Sequence, residues 1–237
     1  MNKPDDNRPR TVLLVGASRG LGHAMALAFT KQDWHVVGTV RDGRRTALSA
    51  LADTHPDQVT IERLDITVPD QIAALHARLS GRVFDMLFVN AGTANHSQNE
   101  TIAQCPTDDF VRVMLTNALG VMRTVEGLQE LVHPAGLIGV MSSGQGSIAD
   151  NRNGGHEVYR GSKAALNQYM RCYAARHADN ARPMVLMAPG WIRTELGGPD
   201  APFSVEQTVP DLVATLLAQQ GKPGLRFIDR HGRTVPW

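Results

Sequence analysis

A doubly wound α/β domain, with a parallel sheet of about seven strands and helices on both faces, is the fold that the sequence predicts. Three observations predict it. Short apolar runs alternate with longer segments at helical spacing. The runs are nearly continuous in apolar residues, as strands covered on both faces require. No Pro/Gly-rich linker divides the 237 residues, a length that can bury a core without disulfides or a structural metal. We read residues 11–237 as one domain. Residues 1–10, polar and with two prolines and two aspartates, read as a flexible tail.

Thr11–Val15 is the first apolar strand. Residues 20–31 follow as a helix, with Leu21, Met25, Ala28 and Phe29 on one face. His35–Val40 is a valine-rich strand, and residues 44–53 form a polar helix. Residues 59–64 alternate as a strand does, and residues 69–79 begin a helix with proline in its first turn. Phe84–Val89 is the next apolar run. Residues 107–132 read as one long helix, and residues 136–141 as a buried strand. A helix at 158–177, a strand at 184–187, a helix at 205–218 and a short strand at 225–228 complete the alternation.

Composition narrows the function. Hydrophobic residues make up 42% and charged residues 20%, which excludes disorder as the main state. Twenty-four basic residues oppose 23 acidic ones, so no global field attracts nucleic acid or an anionic membrane. Cys105 and Cys172 form no C-x-x-C, and the nine histidines show no metal spacing, so neither a disulfide framework nor a metal is expected. The first ten residues hold no apolar signal region, and no run approaches the roughly 18 apolar residues of a membrane span. The cytoplasm is the expected compartment.

Ligands of such sheets bind beyond the carboxyl ends of the strands. Directly after the first strand stands Gly16-Ala17-Ser18-Arg19-Gly20-Leu21-Gly22. Glycines there permit a tight turn and close approach of backbone to a pyrophosphate, at the N-terminus of the next helix. We assign Gly16, Ser18, Arg19, Gly20, Leu21 and Gly22 to a dinucleotide. The second strand ends at Val40 and Arg41, where an acidic residue would bind ribose hydroxyls. Arg19 and Arg41 suit a 2′-phosphate, so NADP(H) is expected over NAD(H). The alternative leaves both arginines in solvent and gives the ribose to Asp42.

Tyr159 and Lys163 stand four apart on a helix and therefore share a face. A free phenol, with a pKa near 10, is a poor acid at neutral pH; a neighbouring ammonium favours phenolate. Such a pair can exchange a proton with a carbonyl or alcohol oxygen. Ser143 just past the fifth strand offers a hydroxyl to the same oxygen, with Ser142 as the alternative. Asn117 is a polar residue in an apolar helical stretch and needs a partner if buried.

Taken in order, Gly16-x-x-x-Gly20-x-Gly22, Asn90-Ala91-Gly92, Ser143-x-x-Gly146, Tyr159-x-x-x-Lys163 and Pro189-Gly190 resemble the short-chain dehydrogenase/reductase family, over residues 11 to about 230. Residues 141–151, 159–166 and 188–202 are similar to its C-factor and sniffer-like carbonyl reductase branch. The resemblance implies a single Rossmann-type domain. It implies that Asp65 and Ile66 meet the adenine, and that Asn90, Ala91 and Gly92 let backbone approach the cofactor. Pro189, Gly190 and Ile192 would hold the nicotinamide end, Thr194 a diphosphate or amide group, and Tyr159 and Lys163 also touch cofactor. Asn117, Ser143, Tyr159 and Lys163 would form the catalytic set, Asn117 holding a water that links Lys163 to solvent. Two departures stand out. Val15 occupies the position where the family has threonine, and the stretch from Ser143 to Tyr159 is longer than usual, with its excess in residues 150–155. His156 is expected at the rim. Residues 195–209, short and rich in Gly and Pro, should form an open or mobile lid over the substrate.

The implied activity is NADP(H)-dependent interconversion of a small-molecule carbonyl and alcohol. The alternative is a nucleotide-binding signalling protein of C-factor type. An epimerase or dehydratase would carry a larger C-terminal substrate domain. The helices at 107–132 and 158–177 are expected to pack on a symmetry mate in a homodimer or homotetramer, with residues 227–237 adding to that interface.

Overall fold

Each central strand sends alternate side chains to opposite faces of one sheet. Leu13, Val15, Leu87, Val89, Ile138 and Val140 belong to the core on one side. Val12, Leu14, Met86, Phe88 and Leu137 belong to the core on the other. The computed structural model that shows this describes residues 8–237. The strands are β1 (Thr11–Val15), β2 (His35–Val40), β3 (Val59–Arg63), β4 (Phe84–Val89), β5 (Val132–Met141), β6 (Pro183–Ala188) and β7 (Gly224–Asp229). They pair in parallel in the order β3-β2-β1-β4-β5-β6-β7. The chain steps outward from β1 to β3, then returns to lay β4 beside β1. The crevice at the carboxyl ends of β1 and β4 is therefore the switch point where such sheets bind ligands.

Helices α3 (Pro69–Arg78), α5 (Val121–Leu128) and α6 (Glu157–Arg176) cover one face, through Ile72, Leu75, Val125, Leu128, Leu166 and Met170. Helices α1 (Gly20–Thr30), α2 (Ala47–Thr54) and α7 (Val205–Ala218) cover the other, through Met25, Phe29, Leu48, Leu51, Leu212 and Leu216. Ser204 and Gln207 form a capping box that starts α7 where the apolar periodicity predicts it.

Two expectations are corrected. The segment expected as one helix over 107–132 is α4 (Thr107–Met114), a π-turn at Leu115–Gly120, α5 and a 3₁₀ turn at Gln129–Leu131. Val132 already pairs with Phe84. The register then jumps to Met86 opposite Leu137, so the exposed stretch 133–135 bulges out of the edge of β5. The tail also ends earlier than expected. Arg8 grips the Asp85 carboxylate at 3.1 and 2.8 Å, and the Arg10 carbonyl accepts the His35 N–H at 2.8 Å. Residues 8–10 are thus docked; the rest of the expected tail, residues 1–7, lies outside the described residues. Among the described residues no helix is long and apolar enough to cross a membrane.

Candidate active site

The glycine loop is built by its neighbours. Gly16 has φ +86°, and a Cβ there would lie 2.8 Å from the Ala91 backbone. The Asn90 side-chain amide donates to the Gly16 carbonyl at 2.8 Å, and the N–H groups of Asn90 and Ala91 both reach Val15 O. Asn90 and Ala91 therefore shape the loop. Thr39, which sequence reasoning missed, replaces the absent threonine ahead of Gly16. From β2, its Oγ1 accepts the Gly16 N–H at 3.0 Å and its carbonyl accepts the Ala17 N–H at 2.9 Å. The signal was a polar residue inside the valine run of β2.

Helix α1 starts at Arg19 with no side-chain cap and no acid in its first turn. Its N–H groups and positive dipole end are thus left for an anion, as a pyrophosphate requires. Ser18 and Leu21 flank this end, with Leu21 packed partly against the α1-side core. Gly20 faces Thr194, whose methyl would lie 3.7 Å from an added Cβ, so the loops after β1 and β6 close one cleft. Arg19 bridges it to Glu195 at 2.5 Å. Arg41 is exposed. Asp42 instead accepts the Arg44 N–H at 3.2 Å in a local turn. The Asp65 Oδ1 holds the Thr67 N–H and hydroxyl at 2.9 and 2.7 Å, and buried Ile66 packs on Gly120.

The Tyr-Lys pair of α6 meets β5 and the π-turn. Lys163 is buried and donates to Met141 O at 2.9 Å, with its Nζ 5.8 Å from the Tyr159 ring centre. Gly92 lies over both Lys163 and Asn117: an added Cβ would approach Lys163 Nζ to 3.5 Å and Asn117 Oδ1 to 3.3 Å. The Ser143 hydroxyl is near enough to the Tyr159 phenol to favour its ionised form, while Ser142 is turned away and donates to Asn167 Oδ1 at 2.6 Å. Gly146 packs on α6, where a Cβ would meet Asn167 Nδ2 at 2.9 Å and Lys163 at 3.0 Å.

Asn117 is fully buried in the π-turn. Its Oδ1 accepts the Thr93 N–H at 2.8 Å, and its Nδ2 donates to Thr93 O at 2.7 Å and Ser162 Oγ at 2.9 Å. Ser162 in turn donates to Tyr159 O at 2.7 Å. Asn117 thus ties the β4 loop to the helix that carries Tyr159. Thr93, Ser162 and Asn167 are further residues that sequence reasoning missed; each is an ordinary polar residue until the fold brings its partner near.

Beyond β6, Pro189 and Gly190 (φ +97°) turn the chain, and buried Ile192 pairs with Phe203 across the base of the loop. Thr194 Oγ1 accepts the Gly197 N–H at 3.1 Å within that loop. His156 begins α6 in the left-handed region (φ 50°), its Nδ1 3.1 Å from Gln98 Oε1. Among the described residues no group of three or more His, Cys, Asp or Glu is placed to hold a metal.

The direction of the Tyr159 shift differs from the one a neighbouring ammonium alone would give. Burial pushes the Tyr159 phenol up to about 12, with the Ser143 hydrogen bond opposing it. Burial likewise pulls Lys163 down to about 8 from an ordinary 10.5. Both shifts favour the uncharged form, which is what desolvation does. The consequence for stability follows from proton counts. Between about pH 8 and 10.5 unfolded Lys163 holds a proton that the folded chain has released, so stability rises with pH there. Tyr159 acts oppositely between 10 and about 12. Urea unfolding of the protein alone should show a gain from pH 8 to 10, on the order of a few kcal/mol. Lys163→Met should flatten it; an equal gain in the variant would assign it to other groups.

Comparison with known proteins identifies the family. A family model described as enoyl-(acyl carrier protein) reductase matches residues 16–209. A short-chain dehydrogenase/reductase from Burkholderia multivorans, solved with bound NADP, is 63% identical. It covers 97% of this chain and 100% of its own, with a TM-score of 0.96. A carbonyl reductase from Pseudomonas aeruginosa PAO1, solved in complex with NADP, is 32% identical, covering 97% of this chain and 100% of its own with a TM-score of 0.89. C-signal of Myxococcus xanthus is 33% identical over 131 residues, 54% of this chain and 79% of its own. The chain belongs to the short-chain dehydrogenase/reductase family.

Proposed function

We propose that the protein is an NADP(H)-dependent oxidoreductase that reduces a ketone or aldehyde to an alcohol, or runs the reverse, with Tyr159 as general acid/base. The observation that carries this reading is the convergence of Ser143, Tyr159 and Lys163 at the carboxyl edge of the sheet, with Gly92 beside Lys163. The uncapped start of α1 and the glycine cradle fit a dinucleotide pyrophosphate. Exposed Arg41, with Arg19, fits a 2′-phosphate, and the NADP bound by two relatives supports the same choice. When bound, NADPH supplies the hydride. Ser143 and Tyr159 then polarise the carbonyl oxygen, and Tyr159 gives it a proton. Lys163, held by Met141 O, faces the Tyr159 ring and favours the phenolate once charged. Asn117 holds the β4 loop and α6 in register beneath them, and a water relay from Lys163 would pass beside it.

Fluorescence titration should give NADPH binding at least about tenfold tighter than NADH, as loss of a charge-assisted phosphate contact implies. Equal affinities would refute the roles of Arg19 and Arg41. Binding of neither would favour the second reading, a signalling role of C-factor type, which the C-signal relative supports. NADPH consumption with any member of a ketone and aldehyde panel would decide for the enzyme. A cytoplasmic location fits the two free thiols, Cys105 and Cys172.

The assembly proposed is a homodimer or homotetramer through α4, the π-turn and α6, whose outer faces leave Phe110, Val111, Leu119 and Tyr169 exposed. Trp237, expected at that interface, packs on its own chain, against Phe227 at 5.5 Å and under Arg171 at 4.5 Å. Solution scattering at micromolar concentration should report twice or four times the 25.7 kDa chain; a monomer would refute the assembly.

A further inference from the structure

The loop that closes the cleft after β6 is pinned at both ends by one side chain from outside it. Arg230 stands just beyond β7. Its Nη1 donates to Pro189 O at 2.9 Å, and its guanidinium lies 4.1 Å from the centre of the Phe203 ring. Pro189 opens the loop, and Phe203 closes it by pairing with Ile192. The fit at Gly190 is tight: a Cβ there would come within 2.5 Å of Arg230 Nη1. The φ of +97° favours glycine at this turn, and a side chain there would have to push the Arg230 head aside.

Arg230 is itself held rigidly. Its carbonyl accepts the Thr215 hydroxyl of α7 at 2.6 Å. The turn that carries it is organised by Asp229, whose carboxylate accepts the N–H groups of His231 and Arg233 at 2.9 Å and the Arg233 Nε–H at 2.7 Å. Arginine suits this place for two reasons. Its planar head can donate to a carbonyl and stack on an aromatic face at once, and it keeps its charge at every working pH. Lysine can do the first but fits the second poorly.

From this geometry we infer that Arg230 is a positioning residue that sets the Pro189–Phe203 loop against the glycine loop, and thereby governs cofactor affinity and the alignment of the nicotinamide end. The inference rests on the reading above, in which the turn at Pro189–Ile192 takes that end of NADP(H). Arg230 touches neither the Tyr159 oxygen nor Lys163 in the contacts that hold it, so its effect passes through the loop.

The test uses the full chain and three variants, Arg230→Met, Arg230→Lys and Phe203→Leu. Arg230→Met should weaken NADPH binding about tenfold and raise KM for NADPH more than it lowers kcat, the pattern of a loop misplaced on its scaffold. Without cofactor it should also speed chymotryptic cleavage at exposed Trp191 and Leu196 by a similar factor, while the melting temperature of the domain moves little. Arg230→Lys should restore part of the affinity, and Phe203→Leu should loosen the loop in the same direction but less. Unchanged NADPH affinity and loop cleavage in folded Arg230→Met would overturn the inference. If that variant does not fold, unchanged values in both Arg230→Lys and Phe203→Leu would do so. Failure of the wild type to bind NADPH would overturn the functional reading instead, and the cleavage rates would still decide whether Arg230 pins the loop.

Discussion

Tyr159→Phe should lower kcat for carbonyl reduction by about 10²- to 10⁴-fold, the usual worth of a positioned general acid. NADPH affinity should stay within about threefold, because the phenyl ring that faces Lys163 remains and only the hydroxyl is lost. The variant should also fold as well as the wild type. The deleted hydroxyl sits in surroundings that already oppose its ionisation, so the fold loses at most about one net hydrogen bond, the one Ser143 could make to it. Full turnover in Tyr159→Phe, on a substrate the wild type reduces, would remove the general acid from the mechanism. Loss of NADPH binding with loss of turnover would instead make Tyr159 a binding residue.

Gly22→Ala should abolish measurable NADPH binding at concentrations that saturate the wild type. A Cβ at Gly22 would stand 2.0 Å from Gly16 O and 2.7 Å from Asn90 Nδ2. Neither atom can yield cheaply: the first is backbone, and the second is the donor that holds that same carbonyl. The loop must therefore open, which displaces the amides proposed to meet the pyrophosphate. Overpacking of this kind costs about 1–3 kcal/mol of stability, so the variant should remain folded at 25 °C with a lowered melting temperature. Gly161→Ala, at an exposed helical position with open space around it, is the control and should bind normally. Wild-type affinity in Gly22→Ala would mean that the loop is not the pyrophosphate site.

The two variants probe residues whose type and spacing carry their meaning locally. Tyr159 and Lys163 are one helical turn apart whatever the rest of the chain does, and Gly16, Gly20 and Gly22 must turn a strand into a helix within a few residues. Helix α7 is legible for the same reason, since the Ser204–Gln207 box and the apolar period both act over short range. Helix 107–132 is not. A π-turn differs from an α-turn by one residue of hydrogen bonding, and what stands opposite it is remote: Ile66 O leaves no room for a Cβ at Gly120, and Thr93 takes both ends of the Asn117 amide. The choice between Ser142 and Ser143 is decided the same way. Adjacent residues of extended chain point to opposite sides, so one meets Asn167 and the other Tyr159.

The order of strands and helices, the two-sided burial of the sheet, the glycine cradle and the Tyr-Lys face all follow from periodicity and short-range sterics, and these can be read along the chain. Thr39 beneath Gly16, Ser162 against Asn117, the meeting of Arg19 with Glu195 and the hold of Arg230 on Pro189 are different. Each joins groups brought together by parallel strand register, by helix packing or by loops from separate strands. Their partners are ordinary polar residues with no local signature, and only the assembled tertiary structure, by setting which groups lie within reach and which buried ones need partners, selects which of them are used.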